Sequence, residues 1–300
     1  MHNNFQIILT LVLIASLSPA ASAQTGEFLR AVKETLSKAT WTVERAGKQT
    51  KIKGKSLEEV CHIDDAVERR LFVEYGAMYL GVKGITHPWR CIFDDQAGVD
   101  EYQKIVPART ENIGGTTITL QTPAMEALLK AIEEAKKKGK SITPRGGPTA
   151  AKRAYEDTAK FWNSRLLPGL DYWIKQGRLT RDDAESVKAL PVRKQIAQVL
   201  EWEDKGIFFA TGFQKSILYS VAAPGGSQHL FMLALDVTEF SDPEIREILM
   251  KHGWFQTVKS DQPHFTFLGR EEHDLSKLGL VKWTMGDQRF WIPASATNSK

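Results

Sequence analysis

The sequence predicts an α+β protein: an antiparallel sheet carrying a His/Asp/His zinc site, flanked by helices. Three observations lead there. Two short runs, 232–237 and 264–269, read as strands, the first nearly all apolar and the second alternating. Residues 243–252, between them, carry helix signals, and several further helical segments precede both. Each strand also holds a residue type that binds divalent cations, Asp236 in one and His264 in the other.

Taken from the start, residues 1–23 have the pattern of an export signal. An apolar core at 7–17 precedes Ala21-Ser22-Ala23, a small-residue cleavage site before Gln24. The leading residues offer only His2 and the terminal amine as positive groups. The core is too short to span a bilayer, and no Cys follows the cleavage site. The mature chain is therefore expected to be secreted or periplasmic, with no membrane span. Cys61 and Cys91 suit that oxidising compartment and are expected to pair. The bridge would close a loop of about thirty residues and contribute about 3–4 kcal/mol in the chain-entropy model. They show no C-x-x-C spacing and are not expected to bind metal. The net charge of +4 favours an anionic surface such as a cell-wall polymer. It is no nucleic-acid signature, and no nucleic-acid module is present.

Residues 24–50 are expected to hold a short helix with Phe28, Val32 and Leu36 on one face. Residues 48–55 are basic and contain glycine, so an exposed loop is expected. Residues 71–82 fit strand or helix. His87-Pro88-Trp89-Arg90-Cys91 reads as a turn leading into a strand, with His62 and His87 as structural or surface groups. A division near residue 115, after Ile113-Gly114-Gly115, separates an N-terminal region (24–115) from the domain expected to carry the zinc site (116–300).

Thr122-Pro123 opens a helix with Thr as its cap, buried through Met125, Leu128, Leu129 and Ile132 and stopped by Gly139. Its terminal lysines face the helix dipole. Another helix begins near Thr149, carries Tyr155, Thr158 and Trp162, and ends before Pro168. Two more follow, one capped by Thr180 with Asp183 and one starting at Pro191. Trp162, Trp173 and Trp202 are expected core anchors. Residues 207–209 read as a strand. The 243–252 helix has Ser241 and Glu244 as a capping box and Gly253 as its stop, with His252 facing the dipole. Residues 280–293 read as a hairpin that extends the sheet.

The stretch from Ser227 to His264 carries the chemistry. In a strand, Met232, Ala234 and Asp236 share one face. His229 lies an odd number of positions from Asp236, so it belongs to a turn ahead of the strand that brings its ring back over the Asp236 face. A lone carboxylate in a buried strand is costly unless paired or bound to a metal. His264 and Thr266 share a face of the second strand, and Asp261 sits in the loop before it. Three mixed His and Asp ligands leave one zinc position open, as catalytic sites do, and a nearby carboxylate is what a metal hydrolase needs as general base.

Ser227-x-His229-x-x-Met232-x-Ala234-x-Asp236 resembles the S-x-H-x-x-G-x-A-x-D signature of zinc D-alanyl-D-alanine carboxypeptidases of the vancomycin-resistance (VanY) type, whose metal site is similar to that of the Hedgehog amino-terminal domain. Asp261-Gln262-Pro263-His264 looks like that family's second signature, E-x-W-H or D-x-x-H. The resemblance implies His229, Asp236 and His264 as Zn2+ ligands, Asp261 as base, and the D-Ala-D-Ala end of a peptidoglycan stem peptide as substrate. Ser227 is expected near the substrate or behind His229. The family also grips the substrate's terminal carboxylate with an arginine from a turn before a helix. Arg145 sits in a comparable place, with Arg153 as an alternative. Thr211-Gly212-Phe213-Gln214-Lys215-Ser216 is similar to the family's S-G-Y-R-S turn, with Gln214 in the arginine's place, which makes Lys215 a rival source of charge.

Two positions depart from the family. Met232 replaces a glycine and, on the Asp236 face, crowds the expected metal pocket. Asp261 is one methylene shorter than the usual glutamate and must approach the metal's water more closely. A peptidoglycan endopeptidase using the same metal site, and a non-catalytic metal-containing cell-wall module, are the two rival expectations.

Overall fold

The computed structural model describes residues 19–294 and 296, with side chains from Gly26 onward. Of the expected export signal, residues 1–18 lie outside these. Among the described residues no helix is long and apolar enough to cross a membrane.

The chain is α+β, with small antiparallel sheets set among helices. Helix α1 (Pro19–Ser37) buries Phe28, Val32 and Leu36, the face its spacing predicts. It stops earlier than expected. Residues 40–53 instead form a hairpin of β1 (Thr40–Arg45) and β2 (Lys48–Lys53), turned at Ala46-Gly47 with both φ angles positive. The expected exposed loop at 48–55 is thus mostly strand. Its lysines hide the signal, because only Trp41 and Val43 of β1 are buried and β2 is solvent-exposed throughout.

Short α2 (Leu57–Val60), held by a Ser56–Glu59 capping box, leads to α3 (Ala66–Tyr75). Residues 71–82 therefore resolve as the end of α3 and a 3-10 turn, Gly76–Leu80. Cys61 and Cys91 form the expected disulfide. No strand follows Cys91. The chain bends into α4 (Gln96–Ile105), capped by Asp95, and then into a hairpin of β3 (Ala108–Ile113) and β4 (Thr116–Gln121). Gly114 and Gly115, where a domain division was expected, are this hairpin's turn, both at positive φ. The main core gathers Phe28 and Tyr102 from before this turn with Leu128, Phe231 and Phe265 from after it.

Helix α5 (Thr122–Lys137) follows at once. Its N-cap is Gln121 rather than Thr122, with Pro123 in the first turn where no donor is needed. Helix α6 (Tyr155–Lys175) runs through Pro168 instead of ending before it. An interior proline costs about 3 kcal/mol. Here the apolar face on both sides of it outweighs that: Trp162, Leu166, Leu170 and Trp173 are buried along one line. With α7 (Arg181–Ala189) and α8 (Val192–Asp204) it builds a second core that holds Trp162, Trp173 and Trp202. Thr180 and Asp183 make the predicted capping box. Residues 207–209 form no strand; Ile207 and Phe209 are buried as irregular chain.

The central sheet has three strands in the order β5-β7-β6: β5 (Ala234–Asp236), β7 (His264–Phe267) and β6 (Trp254–Phe255), all antiparallel. Between β5 and β6 lies α9 (Pro243–Lys251). Its cap is Asp242, which accepts from the Glu244 N–H, not Ser241. The tail is the predicted hairpin, β8 (Leu280–Met285) with β9 (Gln288–Pro293). It forms its own two-stranded sheet rather than extending the central one, and the Trp291 N–H donates to the Gln256 carbonyl beside it.

Candidate metal centre

His229 lies in a 3-10 turn, Gln228–Phe231, ahead of β5. Ser227 caps this turn, its Oγ accepting from the His229 N–H at 3.4 Å, and is itself buried. Ser227 thus shapes the backbone that presents His229. Met232 ends the turn at φ 56°, ψ 34°. That left-handed residue reverses the chain so that β5 starts at Ala234, which is how an odd sequence offset still puts His229 over Asp236. The side chain of Met232 is fully buried in the main core. Its cost is therefore in the backbone, about 1–2 kcal/mol for a left-handed non-glycine residue, and not the crowded pocket expected of a strand residue.

Asp236 and His264 face each other as directly paired residues of β5 and β7, so their side chains leave the same face of the sheet. The three groups meet. His229 Nε2 lies 3.1 Å from His264 Nδ1 and 3.4 Å from Asp236 Oδ1, and His264 Nδ1 lies 3.3 Å from the same oxygen. Four ligands about 2.0–2.1 Å from a tetrahedral zinc sit about 3.3 Å apart along each edge. The three observed separations match one face of that tetrahedron.

Hydrogen bonds fix how the rings are protonated. His229 Nδ1 lies 3.0 Å from the Ala151 carbonyl, which can only accept, so the ring proton is there. His264 Nε2 lies 2.8 Å from Gln228 Oε1, and Gln228 Nε2 in turn donates to the Tyr75 carbonyl at 2.8 Å. Both inward nitrogens are then bare lone pairs facing a carboxylate oxygen. Burial, with the Arg153 charge, pushes the His229 imidazole down to about 4, so the ring is neutral as a metal ligand must be. The Asp236 carboxyl is opposed by burial. Its charged surroundings, Arg153 foremost among the permanent charges, outweigh that and hold it well below the usual carboxylate range.

Arg153 supports the centre from behind. It donates to Asp236 Oδ2 at 2.7 Å and to the Thr149 carbonyl at 2.9 Å, and its guanidinium stacks 4.6 Å from the Phe161 ring centre. Arg145 does not join them. Its backbone N–H donates to the Asp236 carbonyl at 2.8 Å, but its exposed guanidinium sits over Phe240. Lys215 is also exposed, and its charge bears on Lys259. His252 is remote from the centre and contacts Glu134 at 2.9 Å.

Asp261 follows a turn with Ser260 at φ 61°, and its carbonyl accepts from the His264 N–H at 3.3 Å. Its carboxyl is pushed up to about 6 by burial and by the negative Asp236, against the pull of His264, Arg153 and Arg165. Arg165 is anchored by donating to Ser220 Oγ at 2.7 Å. Gln228 and Arg165 escaped the sequence reading. Gln228 sits inside the first motif, beside His229, and a buried amide one residue from a ligand was the available signal. Nothing local marks Arg165.

No family model, no curated protein and no solved structure matches the chain.

Proposed function

We propose that this chain is an exported zinc metallopeptidase that hydrolyses the D-Ala-D-Ala end of peptidoglycan stem peptides. One observation carries the metal: two imidazole lone pairs and a carboxylate oxygen converge within 3.1–3.4 Å while the outer ring nitrogens are occupied by fixed acceptors. Such a cluster repels itself unless a cation lies among its members, and its spacing suits zinc. His229, Asp236 and His264 would hold it. When bound, the metal supplies Lewis acidity that acidifies water towards neutral pH and polarises a carbonyl.

The chain's own groups supply the rest. Asp261, with its carboxyl raised to about 6, takes a proton from water and returns one to the leaving amine near neutral pH. Gln228 and the Ala151 carbonyl keep the two imidazoles in the ligating tautomer. Arg153 balances the Asp236 charge and, with Arg165, makes the region of Asp261 attractive to a substrate carboxylate. The resemblance to D-alanyl-D-alanine carboxypeptidases and the export pattern at 1–23 support the substrate and the compartment.

An endopeptidase with the same centre is the second reading. It is favoured by the exposed side chains of Arg145, which lies over Phe240, and Lys215, and by the commitment of Arg153 to Asp236. The test is zinc content together with D-alanine release from a stem pentapeptide. Release that a chelator abolishes and zinc restores is expected, and Asp261→Ala should keep its zinc while turnover falls by about 100-fold or more. Cleavage of a cross-linked dimer without D-alanine release selects the endopeptidase. Bound zinc with neither reaction leaves a non-catalytic cell-wall module.

A further inference from the structure

The β1–β2 hairpin and the cavity at its foot stand apart from the metal centre. Residues 44–55 hold Arg45, Lys48, Lys51, Lys53 and Lys55 against Glu44 alone, a net +4. The whole chain also carries +4, so the remaining residues sum to zero. Among the described residues none of these five cations forms an ion pair, whereas surface cations such as Lys33, Lys138, Lys140, Lys188 and Lys205 do. The register puts Lys51 and Lys53 on the face opposite the buried Trp41 and Val43. Alternate residues of a strand lie about 7 Å apart, close to the repeat of a phosphodiester chain.

At the foot, Thr40 pairs with Lys53 and the Gly54 N–H donates to the Ala39 carbonyl. Thr40 and Ala39 also line a cavity of about 430 Å³ with Lys38, Lys83, Arg270, Glu34 and His87. Glu34 is neutralised by Lys38 at 2.5 Å, which leaves Lys83 and Arg270 to set the sign. His87 is 2% exposed. Its Nε2 lies 3.3 Å from the Gly81 carbonyl, and its Nδ1 is closed off from solvent. Lysines on an edge strand also deter strand pairing, but that role requires no cationic cavity at their foot.

We propose that the hairpin and this cavity together bind a phosphodiester polymer: phosphates along Lys51, Lys53 and Lys55, and a terminal phosphate against Lys83 and Arg270. The ligand class follows from a row of unpaired cations at phosphodiester spacing that runs down to two further cations in the cavity. The site needs neither the metal nor the peptidase chemistry.

The experiment is calorimetric titration of the full chain with poly(glycerol phosphate), with poly-L-glutamate of equal charge as control, at several salt concentrations. Wild type should bind the phosphate polymer at least tenfold more tightly than polyglutamate. The variant K48Q/K51Q/K53Q/K55Q, whose side chains are all exposed, should lose at least tenfold and show a shallower salt dependence. Lys83→Gln should weaken binding of glycerol 3-phosphate alone while leaving the hairpin intact. Equal binding of the two polymers, or equal binding by wild type and the four-lysine variant, overturns the proposal. Zinc content and D-alanine release serve as independent readouts, so failure here is distinct from failure of the peptidase reading.

Discussion

His229 Nε2 and His264 Nδ1 point at each other across 3.1 Å, and the acceptor already serving each ring's other nitrogen leaves no proton for the gap. The buried carboxylate of Asp236 closes the triangle. The arrangement is stable when a cation shares all three lone pairs, and four consequences can be measured for it and its setting.

The first concerns Gln228. Its Oε1 accepts from His264 Nε2 at 2.8 Å and from Thr266 Oγ1 at 2.5 Å. Gln228→Leu removes the acceptor that orients the ring. Zinc affinity, measured by competition with a chromophoric chelator, should fall about 10–100-fold. Gln228→Glu keeps the acceptor and should retain most of that affinity. An unchanged affinity in Gln228→Leu would show that another group holds the ring.

Arg153 and Asp236 form a largely buried ion pair, with side chains 14% and 17% exposed. Removing one member strands the other charge, at a cost of about 3–5 kcal/mol for a buried pair. Arg153→Met should show a loss of that order in urea unfolding with chelator present. With zinc the loss should be smaller, because the metal then supplies Asp236 with positive charge. Equal losses in both conditions would separate the arginine from the centre.

Glu203 gives a pH dependence. Burial raises its carboxyl to about 7, against hydrogen bonds from Ser216 and Ile217. In the unfolded chain the group has its ordinary value of 4.5. From about 4.5 to about 7 the unfolded state therefore binds fewer protons, and this group's contribution lowers stability as pH rises. The full span is about 3 kcal/mol as an upper bound. Chemical unfolding across that range should show the decline in wild type and a flatter profile in Glu203→Gln.

Met232→Gly sets backbone against packing. Relief of the left-handed conformation is worth about 1–2 kcal/mol, whereas deleting a buried methionine side chain costs about 2–5 kcal/mol. The variant should be less stable by thermal unfolding while binding zinc as wild type does, since the side chain lies in the main core. A gain in stability would show that strain at this turn outweighs the core contact.

The convergence of His229, Asp236 and His264 was legible because their spacing reflects strand parity: Asp236 and His264 fall on one sheet face, and His229 had to lie in a turn. The helices carrying caps and stop signals, α7 and α9 above all, were also visible, although Asp242 rather than Ser241 caps α9. What failed was decided by distant packing. The β1–β2 hairpin reads as a loop because one strand buries nothing, and α6 passes Pro168 because tryptophans and leucines on both sides share a core. Arg153 outranked Arg145 at the centre for a reason no local pattern shows: the Pro144–Val237 bridge directs the Arg145 side chain to Phe240.

Strand β5 has three residues, and its last one is paired with His264. A slip of one position would turn the carboxylate to the opposite side and leave no place where an ion could be captured. Capture of an ion would therefore reward a single alignment of the two segments, and a bound ion would act as a proofreader during assembly. Refolding in the presence of zinc should recover more correctly aligned chain than refolding with a chelator followed by late addition of the ion.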